Sequence, residues 1–242
     1  LHSTSRRQRQ MCIRDRKDSP ACKAGETCGF DDYDTQIILK KGEEPAMKGS
    51  LKLANSASDA FILQYYEETD ARKASFGHEI SNSDWEKIAR VKDVYGDVLF
   101  TAPIVAYNVA HPLLVYINDE LNSEARKFTF LCGHDSNIAS VNAALEVEDY
   151  ELPNSIEKKT PIGCKLVFEK WLDKEGNEFI SVNLVYQSTE QLRNLEMLDK
   201  ENSPMVYQLQ LKGLDLNSDG LYSFKDVCTR FEKAITAYDD IK

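Results

Sequence analysis

The hydrophobic period of this chain changes near Glu124, and that change limits the folds open to it. Before it, apolar residues recur at helical spacing. Leu53, Ala57, Ala60 and Phe61 share one face of LKLANSASDAFILQYYEE. Ser83 and Glu86 have the spacing of a capping box ahead of Trp85, Ile88 and Tyr95. Thr101 is placed to cap a third helix with a Val105, Val109, Leu113, Tyr116 stripe, which Pro112 should kink or divide. After Glu124 the period shortens. Phe128–Cys132 and Cys164–Trp171 read as strands, and KEGN at 174–177 reads as a hairpin turn. The turn leads into FISVNLVYQS, where Val182, Leu184 and Tyr186 alternate with polar residues. EQLRNLEML reads as a short helix, MVYQLQL as a strand, and a last helix is expected from about Ser223. The expected class is therefore α/β, helical first and mixed second, without an internal repeat.

The junction at 128–142, FTFLCGHDSNIASVN, carries the most chemistry. An apolar run ends on Gly133, the ionisable pair His134–Asp135 follows, and a helix is expected over Ser136–Leu145. Asp135 or Ser136 can N-cap that helix, and Gly133 permits a sharp turn. Capping explains Asp135 but leaves His134 without a role. In α/β sheets, ligands bind at the carboxyl ends of strands, where helix N-termini present positive partial charge. An imidazole beside a proton donor in that place suits a phosphate ester.

Composition narrows the partners. With 42% hydrophobic and 29% charged residues the chain can build a core, and its net charge of −10 argues against a nucleic-acid partner. No apolar run approaches the length needed to cross a bilayer. The first sixteen residues, LHSTSRRQRQMCIRDR, hold five Arg and one Asp and depart from the rest; MCIRDR resembles a translated sequencing adapter. Residues 1–16 are therefore expected to be a non-native leader, with the native start lying upstream. Cys22 and Cys28 bracket CKAGETC, a spacing that does not fit a zinc knuckle. A disulfide closing that loop would contribute roughly 2–2.5 kcal/mol in the chain-entropy model and would favour an oxidising compartment. Cys132, Cys164 and Cys228 read as small buried hydrophobes. His78 and His111 read as ordinary polar or packing histidines.

DLNSDGLYSFKD at 215–226 looks like a calcium loop, with Asp215, Asn217 and Asp219 at ligand positions and Gly220 at the turn. Its twelfth position is Asp226 rather than the longer Glu, and the incoming helix is replaced by a strand pattern. An Asx-rich turn into a capped helix is the favoured reading, and a non-catalytic calcium-binding module is the minor one.

GHDSNIAS, with TPIGCKLVFEKW and VYQSTEQLRN downstream, resembles the histidine acid phosphatase family in its sugar-phosphate-hydrolysing branch. KDSPACKAGETC, EEPAMKGSLKLANS and DAFILQYYEE match in the same order, so the resemblance runs from Lys17 to about Ile235. It implies part of a mixed-sheet α/β domain with a helical lobe: residues 17–122 as the mostly helical lobe, and 123–242 as the C-terminal part of the α/β domain. It implies an acid phosphomonoesterase acting through a phosphohistidine on a sugar phosphate such as glucose 1-phosphate. The partner would be that small molecule, with no nucleic acid or membrane, no cofactor and no metal; oligomeric state is left open. Asp135 matches the family's general acid, which protonates the departing sugar oxygen. A neutral carboxylic acid is needed for that, and desolvation or a neighbouring phosphate charge favours it. His134 matches the second active-site His, which binds phosphoryl oxygens as charge shifts.

Glu44 matches a sugar-contacting carboxylate, with Glu43 a near rival and a solvated loop acid the plain alternative. Cys22–Cys28 matches a family disulfide, which with the resemblance implies a periplasmic location. The family's later disulfide is absent from GLDLNSDGLYSF. So is any RHGxRxP-type motif carrying the nucleophilic His, and the chain as given is expected to be a truncated, inactive portion. A phytase-like inositol-phosphate phosphatase is the alternative, and the acidic Glu43–Glu44 pair argues mildly against it.

Overall fold

The computed structural model describes residues 34–39 and 44–241. Residues 1–16 and the Cys22–Cys28 pair lie outside the described residues, as does Glu43. The described residues divide into two compact units, 34–39, 44–95, 154–158 and 188–197 in one, and 96–153, 159–187 and 198–241 in the other.

The first unit holds strands β1 (Gln36–Ile38) and β2 (Ala46–Lys48), paired antiparallel, and helices α1 (Ser50–Glu67) and α2 (Ala71–Ala74). It also holds most of α3 (Asn82–Phe100) and, after an intervening stretch, α6 (Thr189–Arg193). Its core gathers Ile62, Tyr65, Ala74, Trp85, Ala89 and Ile156. Tyr65 stacks on Trp85 at 4.2 Å, and the Arg193 guanidinium lies 3.8 Å from the Tyr65 ring centre. The buried face of α1 is therefore Ser58, Ala60, Ile62, Gln64 and Tyr65, rotated from the expected stripe, of which only Ala60 is buried. The cap of α3 also moves. Ser81, not Ser83, begins the helix, accepting from the Asp84 amide at 3.2 Å and donating to the Asp84 carboxylate at 2.7 Å. Asp84 thereby takes the place expected for Glu86.

The second unit holds α4 (Pro103–Leu121), α5 (Asp135–Ala144), β3 (Lys165–Leu172), β4 (Glu178–Tyr186), β5 (Met205–Gln208), β6 (Tyr222–Ser223) and α7 (Phe224–Ala237). β4 is central, with β3 along one edge and β5 and β6 along the other, and every described pairing is antiparallel. The β3–β4 hairpin closes where KEGN was expected to turn. The Asp173 carboxylate accepts from the amides of Glu175 and Asn177 at 2.9 and 2.7 Å, and Gly176 takes a φ of 86°. Ile180, Val182, Leu184 and Tyr186 alternate along β4 and are fully buried. Each such side chain contributes about 1.5–3 kcal/mol. α7, capped by Ser223, packs on β4, and its Phe231 meets Phe168 edge to face at 5.5 Å.

Several expectations for this unit change. α4 is capped at Ala102 with Pro103 following, while the Thr101 hydroxyl instead donates to the Asp97 carbonyl at 2.6 Å. Its buried stripe is Ala106, Ala110 and Leu114, one position on from the expected Val105, Val109 and Leu113, because α5 and α7 pack on that face. Pro112 sits inside the helix without dividing it. Most consequentially, Phe128–Cys132 is not a strand. It joins no ladder among the described residues, and Phe128, Phe130 and Leu131 are 81%, 65% and 41% exposed. A strand requires a neighbour's amides and carbonyls at pairing distance, and no described segment supplies them. Cys132 is correspondingly exposed, whereas Cys164 and Cys228 pack half-buried against the core. His111 packs as expected, stacked on Tyr238 at 4.0 Å.

Candidate active site

α5 begins at the His134–Asp135 pair. α5 packs on α4, whose buried stripe is Ala106, Ala110 and Leu114. Ser140, Val141, Asn142 and Ala144 are the buried residues of α5. The packed face fixes the helix, and the helix end carries the pair out to solvent.

His134 is the N-cap residue, with extended backbone (φ −118°, ψ 168°), and Asp135 is the first helical residue. The expected capping by Asp135 or Ser136 is thus displaced by one position. The reason is Asn137. Its side-chain oxygen accepts from the His134 amide at 2.8 Å, and its own amide donates to the His134 carbonyl at 3.0 Å. This is a capping box in form, with Asn where Glu or Gln is usual at the third helical position. The Asp135 carboxylate accepts from the Ser136 amide at 2.8 Å. Both members of the pair are exposed, on the outer surface of the first turn rather than within packed hydrocarbon. Positive partial charge at this helix end favours an anion nearby.

The approach to the pair is tied down from α4. The Glu120 carboxylate accepts from the Thr129 hydroxyl at 2.6 Å and pairs with Arg126. The Thr129 hydroxyl, and then Arg126, hold the Glu120 carboxyl below the usual glutamate range. Neither this anchor nor Asn137 was found by reading the sequence. The spacing from His134 to Asn137 was a signal for the second; nothing local marked the first.

Glu44 is exposed, just ahead of β2, in the first unit. In the 215–226 loop, the Asn217 side-chain oxygen accepts from the amides of Asp219 and Leu221, both at 2.9 Å. That is the Asx turn expected, leading into a helix capped by Ser223. Among the described residues no group of three or more His, Cys, Asp or Glu is placed to hold a metal ion. Among the same residues no single helix is long and apolar enough to cross a membrane.

Residues 33–187 match the model of the histidine phosphatase superfamily, branch 2. A glucose-1-phosphatase of Providencia rettgeri is 41% identical over 224 residues, covering 90% of this chain and 54% of that protein. A glucose-1-phosphatase of Salmonella typhimurium is 40% identical over 84% of this chain and 50% of its own length. A phytase of Escherichia coli is 26% identical over 89% of this chain. The chain spans about half the length of the curated relatives it matches. Among solved structures, the phytase from Citrobacter braakii superposes with a TM-score of 0.77 at 23% identity, covering 96% of this chain and 61% of its own. That likeness establishes the fold.

Proposed function

This chain belongs to the histidine phosphatase superfamily, branch 2, and from that premise we propose that it is part of an acid phosphomonoesterase for a sugar phosphate such as glucose 1-phosphate. The observation that carries the reading is the placement of His134 and Asp135 side by side on the exposed first turn of α5.

In this reading the His134 imidazole donates to the phosphoryl oxygens, assisted by the positive end of α5. Asp135, as a neutral acid, gives its proton to the sugar oxygen as the bond to phosphorus breaks. The attacking group is a histidine of the family's RHGxRxP-type motif, which this chain does not contain. Glu44 is assigned to the sugar. The chemistry assigned to the pair calls for no metal ion. Two bacterial glucose-1-phosphatases at 40–41% identity, against 26% for the phytase, favour a sugar phosphate over an inositol polyphosphate. The Cys22 and Cys28 pair supports a periplasmic location.

The test is a glucose 1-phosphate titration of the 242-residue chain followed by amide NMR. Shift changes centred on residues 133–138 are expected, together with no release of inorganic phosphate. Hydrolysis at an enzymatic rate would overturn the assigned mechanism, and perturbations that avoid α5 altogether would overturn the site.

A further inference from the structure

We infer that Asn137 is a positioning residue for the His134–Asp135 pair, an inference that rests on the reading of that pair as phosphate-binding and proton-donating. Three observations lead to it. First, the Asn137 side-chain oxygen accepts the His134 N–H at 2.8 Å, beside the main-chain bond from the Asn137 backbone N–H to the His134 carbonyl at 3.0 Å. The two bonds close a ring around the turn that aims both functional side chains. Second, that ring requires space at Gly133. A Cβ added there would stand 2.9 Å from the Asn137 side-chain oxygen and 3.5 Å from its Cγ. Any larger residue at 133 therefore pushes the carboxamide off its bond. Third, the segment entering the pair joins no ladder among the described residues, and His134 and Asp135 are themselves exposed. The Thr129 bond to Glu120 holds that segment five residues ahead of His134, whereas Asn137 bonds the His134 backbone itself and so constrains the turn directly.

The chemistry also explains a neutral acceptor. A carboxylate at position 137 would accept the same bond, but it would put negative charge in the turn where a phosphate must sit. Close to the bound phosphate such a charge opposes an anion directly. A carboxamide latches the turn without that repulsion. Preorganisation of this kind matters because donors misplaced by about 1 Å lose much of their effect on a phosphoryl group.

The test uses the full chain, with inorganic phosphate as probe and two NMR readouts: hydrogen exchange at the His134 amide, and phosphate affinity. Asn137→Ala should speed His134 exchange about tenfold or more, the size expected for one lost hydrogen bond, and weaken phosphate binding, while the Val141 and Ala144 amides stay protected. Gly133→Ala should do the same. Asn137→Asp should keep His134 exchange slow yet still weaken phosphate, separating the latch from the charge. If Asn137→Ala changes neither readout while the parent chain binds phosphate, the positioning role is refuted and the site stands. If the parent chain shows no phosphate response in α5 but Asn137→Ala still speeds exchange, the site reading fails and the latch remains a purely structural cap.

Discussion

Arg230 donates to the carbonyl oxygen of Leu145 at 2.9 Å, closing the far end of the helix whose near end presents His134 and Asp135. The same guanidinium donates to the Lys212 carbonyl at 2.6 Å and pairs with Glu146 at 2.8 Å. One side chain of α7 thus satisfies a terminal carbonyl of α5 and ties it to the chain following β5.

Arg230 is the residue of α7 whose loss should be felt at α5. Its side chain is mostly buried, so Arg230→Met should lower stability by about 2 kcal/mol, in line with charge-assisted hydrogen bonds. Urea unfolding measures it, and an unchanged midpoint would show that the C-terminal closure of α5 is incidental.

Acid should loosen the same corner. A hydrogen bond from Lys233, and then the charges of Arg230, Lys233 and Lys212, hold the Glu146 carboxyl below its usual value of 4.5. The folded value lies below the unfolded one, so the unfolded chain binds more protons around that pH. The stabilisation is fully present above about pH 4.5 and is lost as pH falls through the lower, folded value. Glu146→Gln should therefore flatten the acid limb of a stability-against-pH curve below about pH 5 and leave its neutral region less altered in slope. An acid limb of equal steepness in both proteins would exclude Glu146 as a contributor.

In the first unit, Glu157 is 1% exposed and pairs with Lys92 at 2.7 Å. Burial, and then the charge of Glu157, keep the nearby Tyr66 phenol protonated far above its usual range. Removing one partner of a buried pair takes away the charge that offsets the other's desolvation, so Glu157→Ala should cost about 3–5 kcal/mol. The double variant Glu157→Leu with Lys92→Met should recover most of that loss, since apolar replacement removes both desolvation costs. Thermal unfolding of the three proteins decides it, and a double variant no better than Glu157→Ala would contradict the account.

Phe128 and Phe130 project from an extended segment that joins no strand ladder among the described residues. An exposed apolar, β-favouring run invites edge pairing between chains. Phe128→Ser with Phe130→Ser should reduce concentration-dependent light scattering of the isolated chain severalfold without moving its unfolding midpoint. Scattering that persists unchanged would place the adhesive surface elsewhere.

What could be read from residues alone divides along the range of the interactions involved. The β3–β4 hairpin, the start of the short helix expected over EQLRNLEML (it ends at Arg193), the final helix from Ser223 and the helix after His134 were all legible. Their signals are turns, caps and alternation that close within a few residues. The family was legible for the same reason, being carried by ordered local motifs, and so was the place of His134 and Asp135 at the start of a helix. Helix faces were not. α4 buries Ala106, Ala110 and Leu114 rather than Val105, Val109 and Leu113, because α5 and α7 pack on that face. Phe128–Cys132 has every local mark of a strand and is none here, since ladder hydrogen bonds belong to two segments at once. The role of Asn137 needed coordinates too, because a side chain that accepts from the backbone three residues earlier is recognised only once the turn has been seen to close. Local hydrogen bonding is encoded residue by residue, whereas the choice of packed face and strand partner is settled by whatever the rest of the chain brings alongside.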